Sequence, residues 1–79
     1  MSLRVVWNPP ALAYWDRLST ADKLRLERAV YGYAERGEGR LFWDPPYDRL
    51  RAGRYLAAVR VDREADELHV LFVQRVAGP

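Results

Sequence analysis

Apolar and polar positions divide the chain into a short strand, two helices and a run of strands. Leu3-Arg4-Val5-Val6-Trp7 is β-branched and aromatic, and Asn8-Pro9-Pro10 stops it. Asn8 suits an N-cap and Pro9 the first helical position, where a missing N–H costs nothing, so a first helix is predicted over 9–18 with Leu12, Trp15 and Leu18 inward. Ser19 or Thr20 can cap a second helix over 21–36, with Asp22 in its first turn. Leu26, Ala29, Val30, Tyr33 and Ala34 recur there at helical spacing, and Gly37 supplies the left-handed stop. With almost no loop between them, the two helices form an antiparallel hairpin.

After the helices, Gly37-Glu38-Gly39-Arg40 loosens the chain and Asp44-Pro45-Pro46 opposes regular structure. The intervening Leu41-Phe42-Trp43 is expected either to fold over the core as a plug or to face a partner. Residues 49–62 read as a strand, a tight turn at Ala52-Gly53 and a return strand, in which Tyr55, Ala57, Val59 and Val61 alternate against Arg54, Leu56, Ala58 and Arg60. Arg63-Glu64-Ala65-Asp66 is a polar reversal, and 68–73, apolar apart from His69, marks a strand covered on both faces or placed centrally. The expected fold class is α+β in one domain over 1–79: an N-terminal strand, a helical hairpin, then a three-stranded antiparallel meander, giving one mainly antiparallel sheet in the order β-α-α-β-β-β.

Composition narrows the chemistry. A chain of 79 residues with no cysteine must be stabilised by packing, which its 49% hydrophobic content and three tryptophans can provide. No apolar run approaches the about 20 residues of a membrane span, and residues 1–20 lack a signal-peptide core, so a soluble cytoplasmic protein without a membrane partner is expected. Thirteen Lys+Arg against eleven Asp+Glu leave +2, too balanced for a nonspecific nucleic-acid coater. All the cations but Lys23 are arginine, whose planar fork suits phosphate or carboxylate, although codon usage could produce the same bias.

One histidine, no cysteine and carboxylates that look scattered argue against a metal site, and no cofactor is implied. His69 lacks the partners of a nucleophilic triad and reads as a sheet histidine bonded to a neighbour, and there is no glycine-rich phosphate loop. What remains is a set of sheet arginines: Arg49 and Arg51 on one face of their strand, Arg54 and Arg60 on one face of the next if no bulge intervenes, and Arg75 closing the last. Such a face could bind a phosphate backbone or an acidic peptide, or be a solvated outer face paired with Asp48, Asp62 or Glu67.

The stretch from Arg49 to Asp62 resembles the central hairpin of the RelE/ParE superfamily, the toxins of bacterial type II toxin–antitoxin pairs, some of them plasmid stabilisation systems, in which the pattern runs R-L-R-x-G-x-Y-R-x-x-Y-x-x-D. Val5-Val6-Trp7 before Pro and Ala is similar to the family's opening, Trp15-Asp16-Arg17-Leu18 to the close of its first helix, and 68–73 to its last strand. The resemblance implies that fold, a cognate antitoxin as partner, and the ribosome with its mRNA, or DNA gyrase, as target. RelE-type members cleave mRNA in the ribosomal A site with basic residues and a tyrosine or histidine. Here Leu56 and Val76 stand at usual arginine positions, Val59 at the second tyrosine, Arg75 where histidine or lysine is usual, and no tyrosine tail follows. Losing one electrostatic stabiliser of a transition state typically costs on the order of 10²–10³ in rate. The residues therefore point to a toxin-family protein acting by binding, ParE-like or a degenerate RelE, with Arg49, Arg51, Arg54, Arg60 and Arg75 as binding residues and no catalytic residue assigned. The alternatives are a ribosome-dependent endoribonuclease and a small nucleic-acid- or protein-binding module without toxicity. Edge strands and the Leu41-Phe42-Trp43 patch permit a homodimer.

Overall fold

Arg4–Trp7 forms strand β1, and Pro9–Asp16 forms helix α1 with proline in its first turn. The structure, a computed structural model, describes residues 2–76. Helix α1 ends two residues before the sequence predicts, and its inward stripe is Ala11, Tyr14 and Trp15, continued by Leu18 beyond the helix. Leu12, expected inward, is 49% exposed. Trp15 and Leu18 lie inward as expected, and Leu12 alone is replaced, by Ala11: i, i+4 spacing from Trp15 selects position 11, where the small side chain allows the closer approach to the sheet.

Helix α2 spans Thr20–Arg36, and Ser19 caps it by accepting a hydrogen bond from the Asp22 N–H at 3.2 Å. Gly37 ends it at φ +68°, a region in which a Cβ is penalised. Leu26, Val30 and Ala34 are buried, with Ala29 and Tyr33 beside them, as the helical spacing predicts.

Four strands follow rather than three: β2 (Leu41–Asp44), β3 (Tyr47–Ala52), β4 (Tyr55–Asp62) and β5 (Glu67–Arg75). The Leu41-Phe42-Trp43 segment is thus an edge strand paired antiparallel with β3, not a plug; Leu41 packs against the core while Phe42 and Trp43 are 42% and 63% exposed. The diproline does not prevent this pairing because it occupies the reversal between β2 and β3, with a cis bond between Pro45 and Pro46. The hairpin loop is Gly53-Arg54, one residue later than expected, because Ala52 and Tyr55 are register partners; Gly53, at φ +61°, takes the first central position, as a type II′ hairpin prefers.

The sheet order is β1-β5-β4-β3-β2, with β1 parallel to β5 and all other pairs antiparallel. Strand β5 is therefore internal, which explains its near-continuous apolar run. The two helices cover one face of the sheet, where Leu50, Ala57, Val59, Leu68, Val70 and Val73 meet Ala11, Leu26, Val30 and Ala34. Burying a leucine such as Leu26 or Leu68 contributes about 1.5–3 kcal/mol. Tyr55 adds a polar tie from this face to α2, its hydroxyl donating to Asp22 Oδ2 at 2.8 Å. That hydrogen bond, with burial, holds the phenol above its ordinary pKa.

Candidate functional site

The sheet face opposite the helices carries most of the candidate arginines. Strand alternation turns Leu50 and Ala52 toward the helices and Arg49 and Arg51 away, opposite Ala58 and Leu56 of β4. The two exposed candidates on this face, Arg51 and Arg60, differ in attachment: Arg51 Nε donates to the Gly53 carbonyl at 2.6 Å, whereas Arg60 stands opposite His69.

Arg49 is not available in the same way. It is only 8% exposed, its Nη1 donates to Gln74 Oε1 at 3.0 Å, and its guanidinium lies 5.8 Å from the Tyr47 ring centre and 5.6 Å from that of Phe72. Those two rings meet edge to face at 5.2 Å. Asp44 Oδ2 is 3.4 Å from Arg49 Nε, an ion-pair distance without hydrogen-bond geometry, so the buried Nε makes no hydrogen bond. Under this cover Ala58 is fully buried although it faces away from the helices. Arg49 therefore works as the lid of a second, small packed layer.

Arg54 and Arg75 are not brought to that cluster. Arg54 sits in the hairpin loop, its carbonyl accepting the Val76 N–H at 2.7 Å. Arg75 is opposite Tyr55, so the register gives it the helix-side face at the sheet rim. The cause is a bulge in β5: Ala58 pairs with Phe72 and Val59 with Val70, leaving Leu71 as the extra residue. Strand β4 keeps its alternation, while side chains beyond Leu71 change faces. Leu56, opposite Gln74 and Arg51, lies on the face away from the helices, as its alternation predicts. The expected tail positions, residues 77–79, lie outside the described residues.

The carboxylates are less scattered than the sequence suggests. Cross-strand pairing gathers Asp62, Glu67 and His69, whose ligand atoms lie within 4.8 Å of one another. His69 Nε2 is 3.0 Å from Glu67 Oε1, and the Arg4 guanidinium pairs with the other oxygen of Glu67. Asp62 Oδ1 accepts the Ala65 N–H. With each residue already bonded and an arginine beside them, the group has the chemistry of a cross-strand polar ladder rather than of a metal cage. No helix is long and apolar enough to cross a membrane among the described residues.

A second feature escaped the sequence. Arg28 of α2 and Arg40 of the α2–β2 connection join Arg51 around a groove of about 580 Å³ floored by Ala29, Phe42 and Leu50. Neither Arg28 nor Arg40 is in an ion pair among the described residues. Glu38, also at the groove, is held by Arg36 at 2.9 Å, and that hydrogen bond and charge keep its carboxyl below the usual range. The groove is consequently apolar at its base and cationic at its rim. Only the absence of Arg28 from the buried stripe signalled it in sequence.

No protein-family model matches the chain, and no curated protein sequence matches it significantly. Solved structures do. A chain of the toxin–antitoxin complex RelBE2 from Mycobacterium tuberculosis superposes with a TM-score of 0.78 at 18% identity, over 99% of this chain and 95% of that one. The RelE–RelB complex of the archaeon Pyrococcus horikoshii gives 0.76 at 15% identity over the whole of both chains. The intact RelBE toxin–antitoxin complex of E. coli gives 0.71 at 18% identity, covering 99% and 100%. The fold is that of RelE toxin components, as the hairpin pattern implies.

Proposed function

We propose that this chain is a toxin-family protein that acts by binding and is held by a cognate antitoxin. The observation that carries the binding reading is the condition of the open sheet face. Of the five arginines in question, Arg49 is locked into packing, Arg54 lies in a loop, and Arg75 belongs to the other face, while Leu56 occupies a position at which the resembled family has arginine. A phosphate-transfer site needs several fixed cations aimed at one developing charge. Arg51 and Arg60 alone are a weak basis for that.

The neighbours of like fold come from complexes with antitoxins, which supports a protein partner of that kind here. The groove between α2 and the β2–β3 edge suits an acidic segment that reaches both the helix and the sheet, with Arg28, Arg40 and Arg51 meeting carboxylates and Phe42 and Leu50 meeting apolar side chains. The cellular target belongs to the same proposal, with gyrase or the ribosome as candidates. Nucleic-acid binding without toxicity would instead give affinity falling steeply with salt.

The test is inducible expression in the native host, with growth and primer extension on translated messages followed together. Growth arrest without A-site cuts, relieved by co-expression of an adjacent small reading frame, is the expected outcome. Clean A-site cuts that vanish in Arg51→Ala would overturn the binding reading in favour of the ribosome-dependent nuclease.

A further inference from the structure

On the helical side of the molecule, Trp7 at the end of β1, Trp15 of α1, and Glu27 and Tyr31 of α2 line one cleft of about 200 Å³ with Leu12. Trp7 Nε1 donates to the Tyr31 hydroxyl at 3.1 Å, and their rings are tilted by 46° with centres 6.5 Å apart. A wider cleft of about 540 Å³ shares Trp7 and Leu12 and adds Pro9, Ala13 and Asp16. Together they form a trough with aromatic and aliphatic walls and a carboxylate in each part.

Glu27 is the telling residue. It is half-buried, yet among the described residues it has neither a hydrogen-bond donor nor an ion-pair partner. Lys23, one helical turn earlier and the natural i,i+4 partner, lies instead over the Trp15 ring, its Nζ 4.5 Å from the ring centre. A carboxylate partly withdrawn from water and left without a counter-charge is unfavourable. The Trp7 and Tyr31 rings, which carry no such cation among the described residues, add negative potential of their own. Aromatic faces and an unneutralised carboxylate are the chemistry that selects a cation with an apolar stem.

We propose that this trough is a receptor for a basic side chain, lysine or arginine, carried by an apolar segment of a protein partner. The ammonium or guanidinium sits against Glu27 beside Trp7 and Tyr31, on the side of the cleft away from the Lys23-capped Trp15 ring, and an aliphatic neighbour of the same segment covers Leu12 and Ala13. The proposal rests on the partner reading above only in requiring that a peptide segment binds. It adds a second contact of opposite charge to the arginine-rimmed groove, so the partner must present acidic groups to one side of α2 and a basic group to the other.

Small probes test the trough without any partner. The full chain, labelled with ¹⁵N, is titrated with the N-acetyl methylamides of lysine, arginine and norleucine while the three indole N–H signals are followed. Trp43, 63% exposed on the far edge strand, is the internal control. The expected result is saturable movement of Trp7 and Trp15 with the two cations, an unmoved Trp43, and norleucine weaker by roughly 3- to 30-fold, the range of a cation–π contribution. Glu27→Gln, which keeps the shape, should weaken the cations by about 3- to 10-fold and leave norleucine unchanged. Glu27→Lys should abolish cation binding while thermal unfolding remains cooperative. Norleucine binding as tightly as lysine, or cation binding indifferent to Glu27→Gln, would overturn the proposal. So would saturation by tetramethylammonium with none by the amino-acid amides, which would mark a small-cation site. Loss of the antitoxin reading in the expression test leaves these titrations unchanged, so the two can fail separately.

Discussion

Replacing Arg49 by alanine separates a structural arginine from a binding one. In the folded chain the side chain makes a part-buried charged hydrogen bond to Gln74, about 1.5–3 kcal/mol for such bonds, and covers two aromatic rings, about 0.5–1 kcal/mol each. The Asp44 contact adds little, about 0–1 kcal/mol, because that carboxylate side chain is 56% exposed. Against these, truncation removes a buried Nε without a hydrogen bond, recovering about 1–2 kcal/mol. It also uncovers Ala58 and the inner edges of Tyr47 and Phe72. The net expectation is a loss of about 2–3 kcal/mol, or roughly 10–20 °C in Tm for a domain of this size. Urea unfolding followed by tryptophan fluorescence measures it, with Arg51→Ala and Arg60→Ala as controls expected within about 0.5 kcal/mol of wild type. If Arg49→Ala unfolds at the same urea concentration as Arg51→Ala, the packed layer is not formed and Arg49 is again a free guanidinium available to phosphate.

Three further outcomes are expected. Leu56→Arg should restore at most weak RNA cleavage in a ribosome assay, because one guanidinium placed beside Arg51 leaves Arg75 on the other face; cleavage rising to that of an active RelE would show that the open face is nearly complete. The raised Tyr55 pKa means that its contribution to stability is full below the unfolded value of about 10 and is lost as pH rises through the higher folded value, so Tyr55→Phe should flatten the fall in urea midpoint above about pH 10. Equal falls in both proteins would contradict the hydrogen bond to Asp22. Ser19→Ala should cost about 1 kcal/mol in the same unfolding assay through loss of the α2 cap, and an unchanged midpoint would remove Ser19 from that role.

Local chemistry was readable wherever one residue and its near neighbours decide the outcome. Ser19 and Gly37 bound α2 because capping and left-handed backbone are properties of a few adjacent residues. The alternation of Tyr55, Ala57 and Val59 is legible for the same reason, since a strand turns successive side chains to opposite faces whatever pairs with it. The hairpin pattern around Gly53 carried the fold that the superpositions display. Strand β2 was hidden because four residues between a glycine-rich stretch and two prolines carry no periodicity; only the hydrogen bonds offered by β3 make them a strand. The extra residue at Leu71 is likewise a matter of register between β4 and β5, and it sends Arg75 to the opposite face from Arg49. Arg49 looks like any sheet arginine until Tyr47, Phe72 and Gln74 close around it from other positions in the chain. Glu27 and its three aromatic neighbours come from β1, α1 and α2, and their meeting depends on how the helices cross the sheet. Contacts between residues distant in sequence depend on pairing register and packing, which local pattern does not encode, and the electrostatic character of both candidate surfaces is set by those contacts.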